Sequence, residues 1–285
     1  MAFWLLVAIL LAAAPGPDHA DQNQPFPPHK IADNLYYVGS RQLASYLVTT
    51  QRGHILINSG FESTVPLIRG NVEKLGFKFG DVKILLASHA HDDHVEGHAF
   101  VRQLTGARVY VMQGDDKVIA SGGQGQYLSD RRWKPCPVDR VLVDGDKVTL
   151  GDATLVAHLT AGHTRGCTTW TMRTHDGVRP AGGAGPALDV VIVGSPNSKP
   201  IYRLVGDRDY PEIAADFAKS FRVWRSLPCD IFLGAHGDYY GLEAKYPRLA
   251  PGQPNPFVDP QGYRAYIDER EQAFRAQLEQ QKKQP

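Results

Sequence analysis

The chain has 285 residues, of which 42% are hydrophobic and 21% charged, and its formal net charge at pH 7 is +1. A chain of this length can bury a substantial core in one large domain or in two small ones. Because the charge balance indicates neither a basic surface nor an acidic tail, nucleic acid is excluded as an expected partner, and we expect partners among small molecules.

The chain begins with an apolar stretch over residues 3–11, followed by alanines. This stretch has the length of the hydrophobic region of a secretory signal and is too short to span a bilayer comfortably. We therefore predict a cleaved signal peptide over residues 1–20 and a periplasmic protein with no stable membrane association after its removal. An uncleaved anchor and a buried helix stay open as alternatives, because no Lys or Arg precedes the apolar stretch.

The first part of the domain is predicted to be an antiparallel meander followed by a helix. Alternating apolar residues and intervening turns predict strands over 35–39, 44–50 and 54–58. Apolar residues at helical spacing then predict a helix over 65–75, which Gly76 ends.

Strands and helices alternate along the rest of the chain, a pattern that is typical of sheets covered by helices. The predicted elements, in chain order, are strand 82–87, helix 96–104, strands 108–112, 141–143, 154–159, 168–173 and 190–193, helix 210–227, strand 231–233 and helix 262–280. No linker or internal repeat divides these elements, so we predict a single domain over residues 26–285.

Residues 121–137 interrupt the alternation. Their glycines and prolines exclude regular structure, while Tyr127, Leu128 and Trp133 supply apolar side chains. Two interpretations stay open at this point: an ordinary surface loop, or a flap that closes over a substrate.

The densest group of polar side chains comprises His89, His91, Asp93 and His94, directly after the predicted buried strand. Imidazole and carboxylate groups are donors that zinc favours, and they are costly to bury without a metal or a partner. Because alternate residues of an extended chain point to the same side, His89 and His91 are expected to face together, before the chain turns toward a helix. One metal can take this pair and a second metal the other two residues. A cluster in a solvated turn is the alternative.

Two further histidines, His163 and His236, stand at the ends of predicted strands, before turns. Sheet folds place their sites on loops at strand ends, so these are the expected additional ligands. The other histidines are weaker candidates, since they lie in the lead-in, inside elements or in a hairpin: His19, His29, His54, His98, His158 and His175.

The order and spacing of these residues resemble the metallo-β-lactamase fold, and more narrowly its subclass B3. The resemblance covers residues 26–281 and rests on three motifs, namely His89-x-His91-x-Asp93-His94, Gly162-His163-Thr164 and Gly234-Ala235-His236. It implies an α/β fold, the αββα sandwich of mixed sheets flanked by helices, with two zinc ions in a groove at one edge. The implied ligands are His89, His91 and His163 for one zinc, and Asp93, His94 and His236 for the other.

The resemblance also implies an activity, the zinc-dependent hydrolysis of the β-lactam ring of penicillins, cephalosporins and carbapenems, which confers antibiotic resistance. A hydroxide that bridges the two metals would attack the lactam carbonyl, and Asp93 would both bind zinc and orient that hydroxide. Tyr202 matches a tyrosine that can donate to the developing oxyanion. Ser195 and Asn197 occupy the positions of two serines that bind the substrate carboxylate, and Asn197 departs from that pattern. We expect a monomer.

Three further positions bear on this resemblance. Gly194-Ser195-Pro196 stands where many dinuclear members of the superfamily carry a bridging aspartate, which favours the β-lactamase arrangement of six ligands. Asn58 stands where an aspartate is common, and it offers an imidazole N–H an uncharged acceptor. Tyr263 stands where the subclass has a cysteine bonded to one like Cys229, so we predict no such disulfide. The alternatives are a lactonase or thioesterase on the same fold and a non-catalytic zinc-binding module.

Overall fold

Two β-sheets form the centre of the computed structural model, which describes residues 22–177 and 187–283. The predicted signal peptide, residues 1–20, lies outside these ranges. Within them, the strands of the first sheet are neighbours in chain order: β1 (His29–Ala32), β2 (Leu35–Tyr37), β3 (Tyr46–Thr50), β4 (Gly53–Ile57), β5 (Val82–Leu86), β6 (Arg108–Met112) and β7 (Arg140–Leu142). Strands β2 to β4 pair antiparallel, as predicted for the meander, and β1 adds to β2 in the same antiparallel sense, whereas β4 to β7 pair parallel.

The second sheet follows in the chain. Its strands in the described part are β8 (Lys147–Leu150), β9 (Ala153–Leu159), β10 (Thr168–His175), β11 (Ala187–Val193) and β12 (Ile231–Gly234). Their spatial order is β12-β11-β10-β9-β8. The pair β11 and β12 is parallel, and the other neighbours are antiparallel.

Helices cover the outer faces of both sheets. Those of the described residues are α1 (Val65–Lys74), α2 (Asp92–Val95), α3 (His98–Thr105), α4 (Asp116–Ala120), α5 (Ile213–Ser226), α6 (Leu242–Lys245) and α7 (Pro260–Lys282). The apolar residues of α1 and α3 pack against the first sheet, and those of α5 and α7 against the second. Among these helices none has both the length and the apolar character needed to cross a lipid bilayer.

Successive side chains of the central strands enter different cores. In β4, Ile55 and Ile57 lie in the core between the sheets, while Leu56 packs under α1 and α3. In β10, the inward Trp170 is fully buried, and the neighbouring Thr169 accepts a hydrogen bond of 2.8 Å from Trp224 of α5. Because successive side chains of a strand point to opposite faces, this alternation produces four layers: helix, sheet, sheet and helix. The predicted αββα sandwich is confirmed.

The structure differs from the predicted elements in its short segments. Strands β1 and β8 and helix α4 were not predicted, because four or five residues are too few to display a clear period. The predicted helix 96–104 corresponds to α3, which begins after Gly97, and the short helix α2 before it was not predicted. A Cβ atom at Gly97 would lie 2.6 Å from the Val65 side chain and 2.9 Å from the Ser59 carbonyl, so the chain passes close to α1 there.

Candidate metal centre

Asn58 positions the start of the histidine-rich stretch that follows β5. Its side-chain oxygen accepts a 2.8 Å hydrogen bond from the Ser88 backbone N–H, and its amide donates to the Ala44 carbonyl at 3.2 Å. The φ angle of Asn58 is 63°, a left-handed conformation that Asn tolerates better than most residues. The sequence suggested that Asn58 would meet an imidazole N–H. The structure instead shows it holding the backbone next to His89.

The first group of candidate ligands consists of His89, His91 and His163. One ligand atom from each lies within 4.8 Å of the others, and all three side chains are buried. His163 is on the loop between β9 and β10, and its Nδ1 lies 2.8 Å from the Asn197 carbonyl oxygen. When Nδ1 carries the proton and donates it to this carbonyl oxygen, Nε2 is left unprotonated and can bind a metal.

The second group lies beside the first. Asp93 and His94 form another candidate ligand group together with His89. His236, directly after β12, approaches from the other sheet: its Nε2 is 3.1 Å from His94 Nε2 and 3.6 Å from Asp93 Oδ2. The structure therefore brings together all six ligand residues that the sequence singled out.

The electrostatics of these residues suit a metal. Burial lowers the pKa of His91 to about 4 and that of His94 to about 3, and it lowers the pKa values of His89 and His163 well below the ordinary range. Each of these four imidazoles is therefore neutral at neutral pH and retains a lone pair. Burial alone would raise the pKa of Asp93, but the charge of Lys199 and the charges that the neighbouring histidines gain in acid outweigh that effect and lower it, so Asp93 is ionised at neutral pH.

The spacing of two nitrogens gives a second test of fit. Two nitrogens on one tetrahedral zinc are expected about 3.3 Å apart, given zinc–nitrogen bonds of about 2.0–2.1 Å. The observed separation of the His94 and His236 Nε2 atoms is 3.1 Å. In the tautomers in which neither Nε2 carries a proton, the two lone pairs face and repel each other. A cation bound between the two nitrogens removes this repulsion. The residues present therefore fit a metal site.

Asp115, just before α4, ties the two ligand loops together, and the sequence reasoning missed it. Its Oδ2 accepts hydrogen bonds of 2.7 Å from the Ala90 N–H and from the Thr164 hydroxyl, while Oδ1 accepts one of 2.9 Å from the Gly166 N–H. Ala90 lies between His89 and His91. Burial raises the pKa of Asp115 to about 6 against the opposing effect of these bonds. The sequence feature that could have identified Asp115 is its position shortly after a strand of the first sheet.

The predicted substrate-binding residues lie next to the ligands but have partners within the protein. Ser195 is fully buried, with its Oγ 3.2 Å from the Tyr239 hydroxyl, and Asn197 Nδ2 donates to the same hydroxyl at 2.9 Å. Tyr202 is 2% exposed and donates to the His163 carbonyl at 3.0 Å. The roles of Ser195, Asn197 and Tyr202 toward a substrate stay predictions. Tyr239 was not singled out by the sequence.

The ligand groups open into a groove. A cavity of about 350 Å³ is lined by four of the candidate ligands and by Asn197 and Lys199. A neighbouring cavity of about 260 Å³ reaches from Asp93 to Leu128, in the segment that the sequence left open as a surface loop or a flap. That segment is joined to the histidine-rich stretch by an ion pair of 2.9 Å between Arg131 and Asp92. The segment thus borders the groove, and its closure over a substrate stays a prediction.

The comparisons with known proteins all indicate the same family. Residues 38–178 match the model of the metallo-beta-lactamase superfamily. The native FEZ-1 metallo-beta-lactamase from Legionella gormanii is 48% identical, with a TM-score of 0.87 over 91% of this chain and 98% of that one. BJP-1, a subclass B3 metallo-beta-lactamase of Bradyrhizobium japonicum, is 34% identical, with a TM-score of 0.82 over 91% and 96%. A beta-lactamase from Chitinophaga pinensis is 32% identical, with a TM-score of 0.85 over 95% and 100%.

The chain belongs to the metallo-β-lactamase superfamily. Within it, the chain falls in subclass B3, as the sequence predicted, and it is a hydrolase with a metal site.

The cysteines play no part in this site. Cys136, Cys167 and Cys229 are all free thiols. Tyr263, at the position where the subclass has a second bonded cysteine, instead donates a 2.7 Å hydrogen bond to the Trp224 carbonyl. This bond ties α7 to α5.

Proposed function

We propose that the protein hydrolyses the β-lactam ring of penicillins, cephalosporins and carbapenems with two zinc ions, and so confers antibiotic resistance. The observation that carries the proposal is the convergence of five imidazoles and the Asp93 carboxylate on one groove. The 48% identity to FEZ-1, a metallo-beta-lactamase, supports the choice of substrate class.

The ligands divide into two sets of three. His89, His91 and His163 would hold one zinc, and Asp93, His94 and His236 the other. Three protein ligands for each zinc leave a coordination position open, as catalysis requires and as a closed structural site does not. When bound, zinc supplies Lewis acidity that polarises the lactam carbonyl and lowers the pKa of water to near neutrality. A set of imidazoles with one carboxylate suits zinc.

Asp93 and Lys199 supply charge at the groove. Asp93 is partly accessible, and its Oδ2 is the oxygen close to His94 and His236. Its other oxygen is available to orient the attacking water and to accept its proton before the proton passes to the departing lactam nitrogen. Lys199 is exposed at the groove, and its positive charge lowers the pKa of His91. The same charge attracts the carboxylate that these antibiotics carry, next to Asn197.

The test is turnover of a carbapenem by purified, zinc-loaded protein, with a homoserine lactone as the competing substrate. We expect the carbapenem to be opened, the activity to disappear with a chelator and return with zinc, and the lactone to survive. His163→Gln should abolish the activity. His158→Gln is the matched control, because His158 lies in β9 and contacts Thr171 at 2.9 Å, outside the ligand groups. Zinc-dependent stability without opening of any β-lactam would refute the proposal in favour of a zinc-binding module.

We also propose that the enzyme acts in the periplasm as a monomer, without stable membrane association after removal of the signal peptide. The apolar stretch over residues 3–11 supports export. Fractionation of expressing cells should recover a shortened protein in the periplasmic extract, and gel filtration should give the mass of one chain. Recovery of the full-length protein in the membrane fraction would refute the export proposal.

A further inference from the structure

Tyr239 lies three residues after the candidate ligand His236, in a short 3-10 turn over Gly237–Tyr240. Its ring centroid is 5.1 Å from that of His236. The ring also packs closely on Gly234, where an added Cβ would lie 2.7 Å from Tyr239 Cδ2. The ring is therefore held between the end of β12 and the imidazole of His236, and it limits how that imidazole can turn.

The hydroxyl of Tyr239 reaches a different loop, the one that follows β11. It accepts a hydrogen bond of 2.9 Å from Asn197 Nδ2, and it lies 3.2 Å from Ser195 Oγ. The backbone carbonyl of the same Asn197 faces His163 Nδ1 at 2.8 Å. A continuous series of contacts thus runs from His236 through Tyr239 and Asn197 to His163.

We propose that Tyr239 is a positioning residue that couples the two metal-ligand groups, with its ring against His236 and its hydroxyl acting on His163 through Asn197. This inference rests on the proposed zinc centre. The orientation of a ligating imidazole is set by the partner of its other nitrogen, and loss of such a partner typically costs about 10–100-fold in metal affinity. For His163 that partner is the Asn197 carbonyl, and the Tyr239 hydroxyl holds the side chain of the same residue.

The test separates the hydroxyl of Tyr239 from its ring. Tyr239→Phe keeps the ring against His236 and Gly234 but removes the bond to Asn197. Ser195→Ala is the matched control, because it removes the other neighbour of the hydroxyl and leaves that bond intact. Zinc affinity is measured by competition with a chromophoric chelator, and ligand geometry by the visible absorption of the cobalt-substituted protein. We expect Tyr239→Phe to weaken zinc binding about tenfold, the lower end of the usual effect, and to shift the cobalt bands. Ser195→Ala should leave both readouts within about twofold.

A second variant protects the test against misfolding. Asn197→Ala breaks the same bond from its other end, so its effect on zinc affinity should not add to that of Tyr239→Phe in the double variant. Unchanged zinc affinity and cobalt spectrum in Tyr239→Phe would overturn the inference, and so would fully additive effects of the two substitutions.

The measurements involve no substrate, which keeps this inference distinct from the proposed activity. Normal zinc binding by the wild type together with no opening of a β-lactam would refute the activity and leave the role of Tyr239 standing. Failure of the wild type to bind two zinc ions would overturn both.

Discussion

Replacing Asp115 by Asn is expected to loosen the two loops that carry His89, His91 and His163. The carboxylate accepts hydrogen bonds from the Ala90 N–H, the Thr164 hydroxyl and the Gly166 N–H, at 2.7–2.9 Å. In the orientation that keeps the first two bonds, the new amide NH₂ faces the Gly166 N–H. In the flipped orientation the first two bonds are lost.

The magnitude follows from the less costly orientation. It loses one hydrogen bond to a charged group, worth about 1.5–3 kcal/mol, and leaves a buried N–H without an acceptor, at about 1–3 kcal/mol. The two costs overlap, and removal of the charge relieves the burial that raises the pKa of Asp115 to about 6, so we expect the free energy of unfolding to fall by about 1–2 kcal/mol. Asp115→Ala leaves all three donors without the carboxylate, and with the same relief we expect a fall of about 2–4 kcal/mol.

The assay is urea unfolding of the zinc-free protein at pH 7.5, where Asp115 is ionised because its pKa is about 6. A zinc titration of the folded variants follows. Asp116→Asn is the control: Asp116 accepts one bond of 3.0 Å from the Gly114 N–H, and the amide oxygen of Asn can replace that acceptor. If Asp115→Asn were as stable as Asp116→Asn to within about 0.5 kcal/mol, the assignment of Asp115 as the tie between the loops would be refuted.

Three further predictions concern acid, the Tyr202 hydroxyl and the metal. Burial lowers the pKa of His29 to about 4, so the unfolded chain binds the extra proton more readily as the pH falls below about 6.5. His29 is one of several buried histidines that cost stability in this way, and its own share between pH 7.5 and pH 5 is about 2 kcal/mol. Urea unfolding should therefore show a loss about 2 kcal/mol smaller in His29→Phe than in the wild type, and equal losses would contradict the prediction. If Tyr202 has the predicted oxyanion role, kcat of Tyr202→Phe should fall about 100-fold. A fall of less than about threefold, with about 1 kcal/mol of stability lost, would mean that the hydroxyl serves only its structural bond to the His163 carbonyl. Zinc at 100 times its dissociation constant should stabilise the folded protein by about 2.7 kcal/mol for each site that it fills. Calorimetry with and without a chelator would detect an unchanged melting temperature if no metal bound.

The candidate ligands were predictable from the sequence because their signals are local. His89, His91, Asp93 and His94 come shortly after one apolar strand, and His236 comes shortly after another, so the rule that sites form at strand ends places them together. The layered architecture was predictable for the same reason, since alternation and helical spacing are read within a single segment.

Asp115 and Tyr239 were not predictable, because their importance comes from contacts between distant segments. Asp115 meets Gly166 across 51 positions, and Tyr239 meets Ser195 across 44. Neither residue belongs to a local motif, and an aspartate or a tyrosine after a strand is common in loops without such a role. The burial of the Ser195 hydroxyl against Tyr239 likewise depends on how β11 and β12 pair, which single-segment patterns do not specify.

The candidate metal centre depends on how the two sheets pack, because its candidate ligands come from both. Hydrogen bonds close to the candidate ligands join the two sheets. Trp170 of the second sheet donates to the Ala87 carbonyl at 3.0 Å, and Tyr46 of the first sheet donates to the Gly234 carbonyl at 2.7 Å. Ala87 lies two residues before His89, and Gly234 lies two residues before His236. These bonds help to set the separation of the candidate ligand groups, so metal bound there would stabilise the same arrangement as the packing of the inter-sheet core.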